Sequence, residues 1–221
     1  MLFAWAAYTI MLRFSDMKNE LFEKIGIMGG TFDPIHYGHL VAAEGARCHF
    51  GLDMVFFVPA ARPPHKGDRY ISHPSHRLDM TILATGSNPR FQVSDVEIRR
   101  SGPSYTIDTV FHFARSWPGA LIYFITGADA ILEILTWHRV EELLDMCSFI
   151  AATRPGYRLE NLAGSLQGLP SRYIEKISVM EVPALAISST DIRERVKKGM
   201  PIKYLLPEKV EEYLYSKELY I

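Results

Sequence analysis

The sequence predicts a single α/β domain built on a doubly wound parallel sheet, and three observations lead there. Short apolar runs of strand length alternate with helix-length segments along the whole chain. Those runs end in polar, glycine-bearing or basic clusters, and 221 residues with 48% hydrophobic content suffice to bury one substantial core. Right-handed crossovers between parallel strands would gather the clusters along one edge of the sheet. Open α/β sheets form their sites at that edge.

The elements follow in order. Met1 to Leu12 is almost wholly apolar, but it is too short to span a bilayer and no positive charge precedes it. Export is not expected. Met17-Lys18-Asn19-Glu20 makes a natural start, so residues 1–16 are expected to be a non-core extension of the reading frame and residues 17–221 the domain. Lys24 to Met28 is a first strand, and a helix begins near Gly38 with Leu40, Ala43, Ala46 and Phe50 at about helical spacing. Met54 to Val58 is a second buried strand, followed by a stiff loop rich in proline and base from Pro59 to Arg69. A helix runs from Ser75 to Thr85, a brief strand covers Phe91 to Val93, and another helix spans Tyr105 to Arg115. Leu121 to Ile125 is the clearest strand; two short helical stretches come next, with Trp137 at the start of the second. Ser148 to Ala152 and Ile177 to Met180 are further strands, and the last helices begin near Ser189 and Pro207.

The stretch from Gly29 to Leu40, Gly-Gly-Thr-Phe-Asp-Pro-Ile-His-Tyr-Gly-His-Leu, sits between the first strand and the first helix. A turn at the carboxyl end of a parallel strand collects backbone N–H groups and the positive end of a helix dipole, which suits phosphate. The glycines alone could serve any tight turn. His36 and His39 are three apart at a helix start, so both can face one side of the first turn and donate hydrogen bonds to phosphoryl oxygens. Two other readings are a pair of surface histidines and a zinc pair. The H-E-x-x-H pattern and an evident third ligand are both absent.

This segment resembles the signature of the HxGH nucleotidyltransferase superfamily, in the version found in bacterial nicotinate-nucleotide adenylyltransferases. The resemblance extends from Ile25 to the C-terminal helix and implies a Rossmann-like nucleotidyltransferase fold. A second segment, Ile187-Ser188-Ser189-Thr190-Asp191-Ile192-Arg193, carries an N-cap signal, with Ser188 and Asp191 at capping-box spacing. Capping accounts for the hydroxyls but not for Arg193. A cation near the amide-rich end of a helix is unfavourable unless an anion compensates it, and phosphate would do so. In the resembled family this segment faces the HxGH turn across the sheet edge, and the two cradle the triphosphate of ATP. The resemblance therefore assigns ATP to Gly29, Gly30, Thr31, Phe32, His36, Gly38, His39, Ser188, Ser189, Thr190 and Arg193.

Pro63-Pro64-His65-Lys66 reads by itself as a solvated basic loop. It is similar to the family's Pro-Pro-His-Lys or Arg loop, whose terminal base helps to hold phosphate; many members carry amide side chains where this chain has Ala60 and Ala61. Segments resembling the family's nicotinate mononucleotide pocket run from Pro103 to Thr109 and from Thr126 to Asp129, with Thr136-Trp137 beyond. The resemblance implies contacts from Lys66, Ser104, Tyr105, Thr106, Asp129 and Trp137, the indole lying against the pyridine ring and the amides at the start of the Tyr105 helix meeting the nicotinate carboxylate. Trp137 also reads as a core or packing residue, and Asp129 as an N-cap.

The implied reaction joins the AMP of ATP to nicotinate mononucleotide and releases pyrophosphate. His36, His39, Lys66 and Arg193 are the expected catalytic groups, because stabilising charge on phosphoryl oxygens needs no protein nucleophile. Thr31 and Ser189 would donate to phosphates. Mg²⁺ is expected to arrive with the triphosphate, with no protein metal site. A formal net charge of −1 gives no global attraction to nucleic acid or to an anionic membrane. Cys48 and Cys147 read as buried free thiols of a reducing, cytoplasmic compartment. Another transferase of the same superfamily and a nucleotide-binding regulator without turnover remain as alternatives, and either a monomer or a homodimer is open.

Overall fold

The computed structural model describes residues 20–63, 71–153, 170–183 and 185–221. The apolar N-terminal stretch, Lys66 and most of its basic loop lie outside the described residues. The described chain runs β1 (Lys24–Gly30), α1 (Tyr37–Phe50), β2 (Met54–Pro59), α2 (Pro74–Thr85), β3 (Phe91–Val93), α3 (Val96–Arg99), α4 (Thr106–Ser116), β4 (Leu121–Gly127), α5 (Ala128–Leu132), a 3₁₀ turn (Ile134–Thr136), α6 (Val140–Met146), β5 (Ser148–Thr153), α7 (Ser171–Ile174), β6 (Ile177–Glu181), α8 (Ser189–Lys197) and α9 (Glu208–Ser216).

The described strands form one sheet in the order β3-β2-β1-β4-β5-β6, every neighbouring pair parallel. Strand order reverses between β1 and β4, so their carboxyl ends diverge into a crevice. Successive side chains point to opposite faces, as strand geometry requires. Phe57, Ile125 and Ile150 join the core under α1, α2, α8 and α9, whereas Phe56, Phe124 and Phe149 join the core under α4 and α6. β2 is buried along its whole length, which is why it reads as an unbroken apolar run.

The doubly wound parallel sheet is thus present, with several corrections of detail. Gly29 and Gly30 do not form a turn: they complete β1, paired with Val58 and Pro59, and the chain turns only afterwards. Thr126 and Gly127 likewise complete β4 against Ala151 and Ala152. The short helices α3 and α7 were not foreseen, since four residues leave no period to read. Trp137 does not start a helix but follows the 3₁₀ turn, its N–H donating to Ile134 O. Cys147 is buried, and burial pushes its thiol up to about 12; Cys48 is exposed on α1 beside Glu44 and Arg47, so helical phase overrides its apolar neighbours in sequence.

Candidate active site

The turn after β1 is built by close approach. A Cβ at Gly30 would meet the Phe32 ring at 2.7 Å, and one at Gly38 would meet the His36 ring at 3.0 Å. Glycine is needed at both places for contact rather than for flexibility. Phe32 itself is buried, with φ at +50°, and packs edge-on against His39. It is a packing residue of the turn, and its ring lines neither of the two clefts described below.

His36 caps α1, and the two imidazoles stack with centroids 3.8 Å apart. His39 Nδ1 accepts the His36 main-chain N–H at 3.2 Å. With Nδ1 an acceptor, a neutral imidazole carries its proton on Nε2 and presents a donor there. His36, Gly38 and His39 line a cleft of about 310 Å³, together with Gly29, Thr126, Gly127 and Ile187.

The segment expected to face this turn does face it. Ser188 caps α8 by accepting the Asp191 N–H at 3.1 Å, one half of a capping box; the Asp191 carboxylate turns instead to Arg195 at 2.8 Å. Ser189 Oγ donates to Pro34 O at 2.8 Å, and Thr190 Oγ1 accepts from Arg193 at 3.3 Å. Arg193 Nη1 donates to Asp33 O at 2.7 Å and lies 4.0 Å from the Asp33 carboxylate. A protein carboxylate is thus one anion beside this cation. Ser189 and Arg193 tie α8 to the turn, whereas Ser188 and Thr190 bond within α8, so the three hydroxyls are all bonded within the protein.

Asp33 is the hub beneath. Its carboxylate, 3% exposed, accepts from the Tyr220 hydroxyl at 2.7 Å and from the Ser72 N–H at 3.4 Å. Burial and the adjoining carboxylate push the Tyr220 phenol well above its ordinary range.

A second cleft, about 270 Å³, opens on the other side of β1. Gly30, Thr31, Ala60, Pro63, Glu97, Ser104, Tyr105, Thr106, Trp137 and His138 line it. The two clefts share Gly29 and Thr126, at the carboxyl ends of β1 and β4. Gly30 and Thr31, expected beside ATP, thus lie on the cleft with Tyr105 and Trp137, and only Gly29 lines both. Trp137 is the packing residue that one of its readings expected: its indole packs edge-on against Phe124 and Phe149, and it also lines the cleft.

Ser104 has a structural task within the cleft wall. Its Oγ accepts the Ala61 and Arg62 N–H groups at 2.9 and 3.2 Å. The Tyr105 N–H is also occupied, donating to Pro103 O, so the amides offered at the head of α4 begin with Thr106. Asp129 is exposed in the first turn of α5 and is not its cap, which is Gly127; neither cleft includes it.

Two lining residues were missed. Glu97 accepts from Thr109 Oγ1 at 2.6 Å, and burial raises its pKa against that bond and the Ser104 hydroxyl. His138 stacks on Tyr105 with centroids 4.3 Å apart. Neither falls in a recognisable motif, although a lone acid in the apolar run Val96-Glu97-Ile98 and a histidine beside Trp137 were the available signals.

Among the described residues no three His, Cys, Asp or Glu side chains come together as a metal site, and no helix is long and apolar enough to cross a membrane.

The family of Cytidylyltransferase-like proteins matches residues 27–195. A protein of Moorella thermoacetica named "Probable nicotinate-nucleotide adenylyltransferase" is 61% identical over 89% of this chain and 91% of its own. One of Thermoanaerobacter sp. with the same name is 56% identical over 92% and 96%. The chain belongs to the nicotinate-nucleotide adenylyltransferase family. As such it is a nucleotidyltransferase, and solved structures of the family share its fold. Plasmodium falciparum nicotinic acid mononucleotide adenylyltransferase, complexed with NaAD, superposes with a TM-score of 0.70 at 21% identity, over 90% of this chain and 97% of that one. The same enzyme complexed with APC gives 0.69.

Proposed function

We infer that the chain transfers the AMP moiety of ATP to nicotinate mononucleotide, giving nicotinate adenine dinucleotide and pyrophosphate, a step of NAD biosynthesis. The observation that carries this reading is the pair of clefts meeting at Gly29 and Thr126, one walled by the stacked histidines and the other by Trp137 and the head of α4. Two nucleotides seated side by side there would bring their phosphates together at the β1/β4 crevice.

The reaction needs no protein nucleophile. A phosphate oxygen of the mononucleotide attacks the α-phosphorus of ATP; one P–O bond forms, the bond to the β-phosphate bridging oxygen breaks, and pyrophosphate leaves with that electron pair. The protein's task is positioning and charge stabilisation. His39 Nε2–H, together with His36, would donate to phosphoryl oxygens, and the Arg193 guanidinium, 25% exposed, would serve the triphosphate while keeping its bond to Asp33 O. Lys66, outside the described residues, would add a further contact to phosphate, as the resemblance implies. Thr31 belongs with the acceptor side, and Ser189 holds the turn. Mg²⁺ would neutralise charge on the triphosphate; the Asp33 carboxylate is already engaged by Tyr220 and Ser72, so phosphates and water are the fitting ligands. A cytoplasmic location suits this chemistry.

The carboxylate of nicotinate would meet the first-turn amides of α4 beginning at Thr106, a choice that nicotinamide does not satisfy. The test is pyrophosphate release with ATP and a panel of acceptors: nicotinate mononucleotide, its amide counterpart and phosphopantetheine. Turnover with the acid, at least about tenfold more efficient than with the amide, is expected. Equal efficiency would widen the substrate class to pyridine mononucleotides, and turnover with phosphopantetheine alone would overturn the reading.

A further inference from the structure

Arg77, on α2, is only 1% exposed. Burying a guanidinium is costly unless its donors are satisfied, and here burial pulls its pKa down. Its hydrogen bonds go to main-chain carbonyls. Nε donates to Ser72 O at 2.9 Å, Nη1 to Thr31 O at 2.8 Å and to Ala60 O at 2.6 Å, and Nη2 to Ala61 O at 3.3 Å. These carbonyls belong to three separate stretches: the turn after β1, the loop after β2, and the approach to α2.

Thr31 and Ala60 are both wall residues of the cleft that also holds Tyr105 and Trp137. The loop at Ala60 to Arg62 is gripped from two sides, its carbonyls by Arg77 and its amides by Ser104. The cleft of the histidines, by contrast, includes no residue that Arg77 binds.

We propose that Arg77 is a positioning residue for the acceptor cleft: its buried fork ties Thr31 to Ala60 and so sets the distance between the two walls, without touching a substrate. The proposal rests on reading this cleft as the acceptor site. Only a planar guanidinium reaches all these carbonyls at once; a lysine ammonium keeps the charge but is a compact donor on a flexible stem. Arg77 also lends a positive potential behind this wall, with the Asp33 carboxylate as the strongest opposing charge that acts on it.

The test is steady-state kinetics of the full chain carrying Arg77→Lys, well below its melting temperature, with ATP and acceptor varied in turn. Arg77→Lys should raise the KM for the acceptor about fivefold or more while the KM for ATP stays within about twofold. Val210→Ala, a buried truncation in α9, supplies a control that lowers melting temperature without moving either KM. Ser104→Ala releases the same loop from its amide side, and it should reproduce the split if Arg77→Lys does not fold. Acceptor binding followed by Trp137 fluorescence should weaken in parallel, independently of turnover. Equal rises in both KM values, or no rise beyond that of the control, would overturn the proposal. The wild-type acceptor panel identifies the acceptor first, so a wrong choice of mononucleotide fails there, and the KM split is then read with whichever acceptor turns over.

Discussion

The two clefts are made in different ways. The cleft of the histidines takes both imidazoles from one turn and the helix it starts, with α8 docked on that turn through Ser189 and Arg193, while the rest of its wall comes from the ends of β4 and β5 and from Val182 to Ile187. The cleft of Trp137 takes walls from several separate stretches of the chain, and its loops are held by contacts of long sequence separation, such as Ala61 to Ser104 and Arg77 to Thr31. The histidine pair is set by its own backbone, whereas the loop walls beside Trp137 depend on remote ties. Substitutions in the first should therefore remove chemistry cleanly, and those around the second should shift binding and stability.

The largest expected effect is His39→Ala, which deletes the Nε2 donor. Turnover should fall more than about tenfold, with a stability cost of about 1 kcal/mol for the lost bond to the His36 N–H. Unchanged turnover in a pyrophosphate-release assay would break the comparison at its first term. Next is Trp137→Ala. Because the indole has the same face for acid and amide rings, both acceptors should weaken together by about fivefold or more while their ratio of kcat/KM is largely kept. A changed ratio would mean that the indole, not the α4 amides, reads the substituent.

Tyr220→Phe probes the hub that joins the two regions. Loss of its hydroxyl leaves Asp33 Oδ1 short of a donor in a buried setting, so unfolding free energy should drop by about 1–3 kcal/mol in denaturant titration. An accompanying rise in the KM for ATP is expected, because Asp33 O holds Arg193.

The smallest effect concerns pH. Burial holds the Glu97 pKa above its unfolded value of 4.5, so the folded protein binds this proton more tightly than the unfolded chain. That contribution to stability is full below 4.5 and is lost as pH rises through the raised value. Glu97→Gln should flatten this part of the melting-temperature profile. A profile of the same shape in both proteins would show that the acid is not a significant source of pH dependence.

Much of the first region was legible because its information is local. A glycine-bearing strand end, a histidine at a helix start and a second histidine three residues on act within one turn, and their spacing alone places both rings on one side. The same locality made the strands readable: β2 is an apolar run buried at every position, which leaves no alternation to misread, and β4 carries an unbroken apolar run from Leu121 to Ile125. Even here the sequence stopped short: it could not say that Gly29 and Gly30 belong to the strand, because parallel register with β2 extends the ladder to them.

What the sequence by itself determined was the fold class, the order of the strands and longer helices along the chain, and the turn that carries the two histidines. Tertiary structure alone decided that Thr31 lines the cleft of Trp137, that Ser104 holds a loop, and that the Asp33 carboxylate stands beside Arg193. It alone revealed Arg77, Glu97 and His138. The physical reason is that the partners of Arg77 are main-chain carbonyls, which every residue carries and no residue type announces. A side chain bound to carbonyls from three distant segments leaves no spacing in the sequence; only the folded chain brings those segments within its reach.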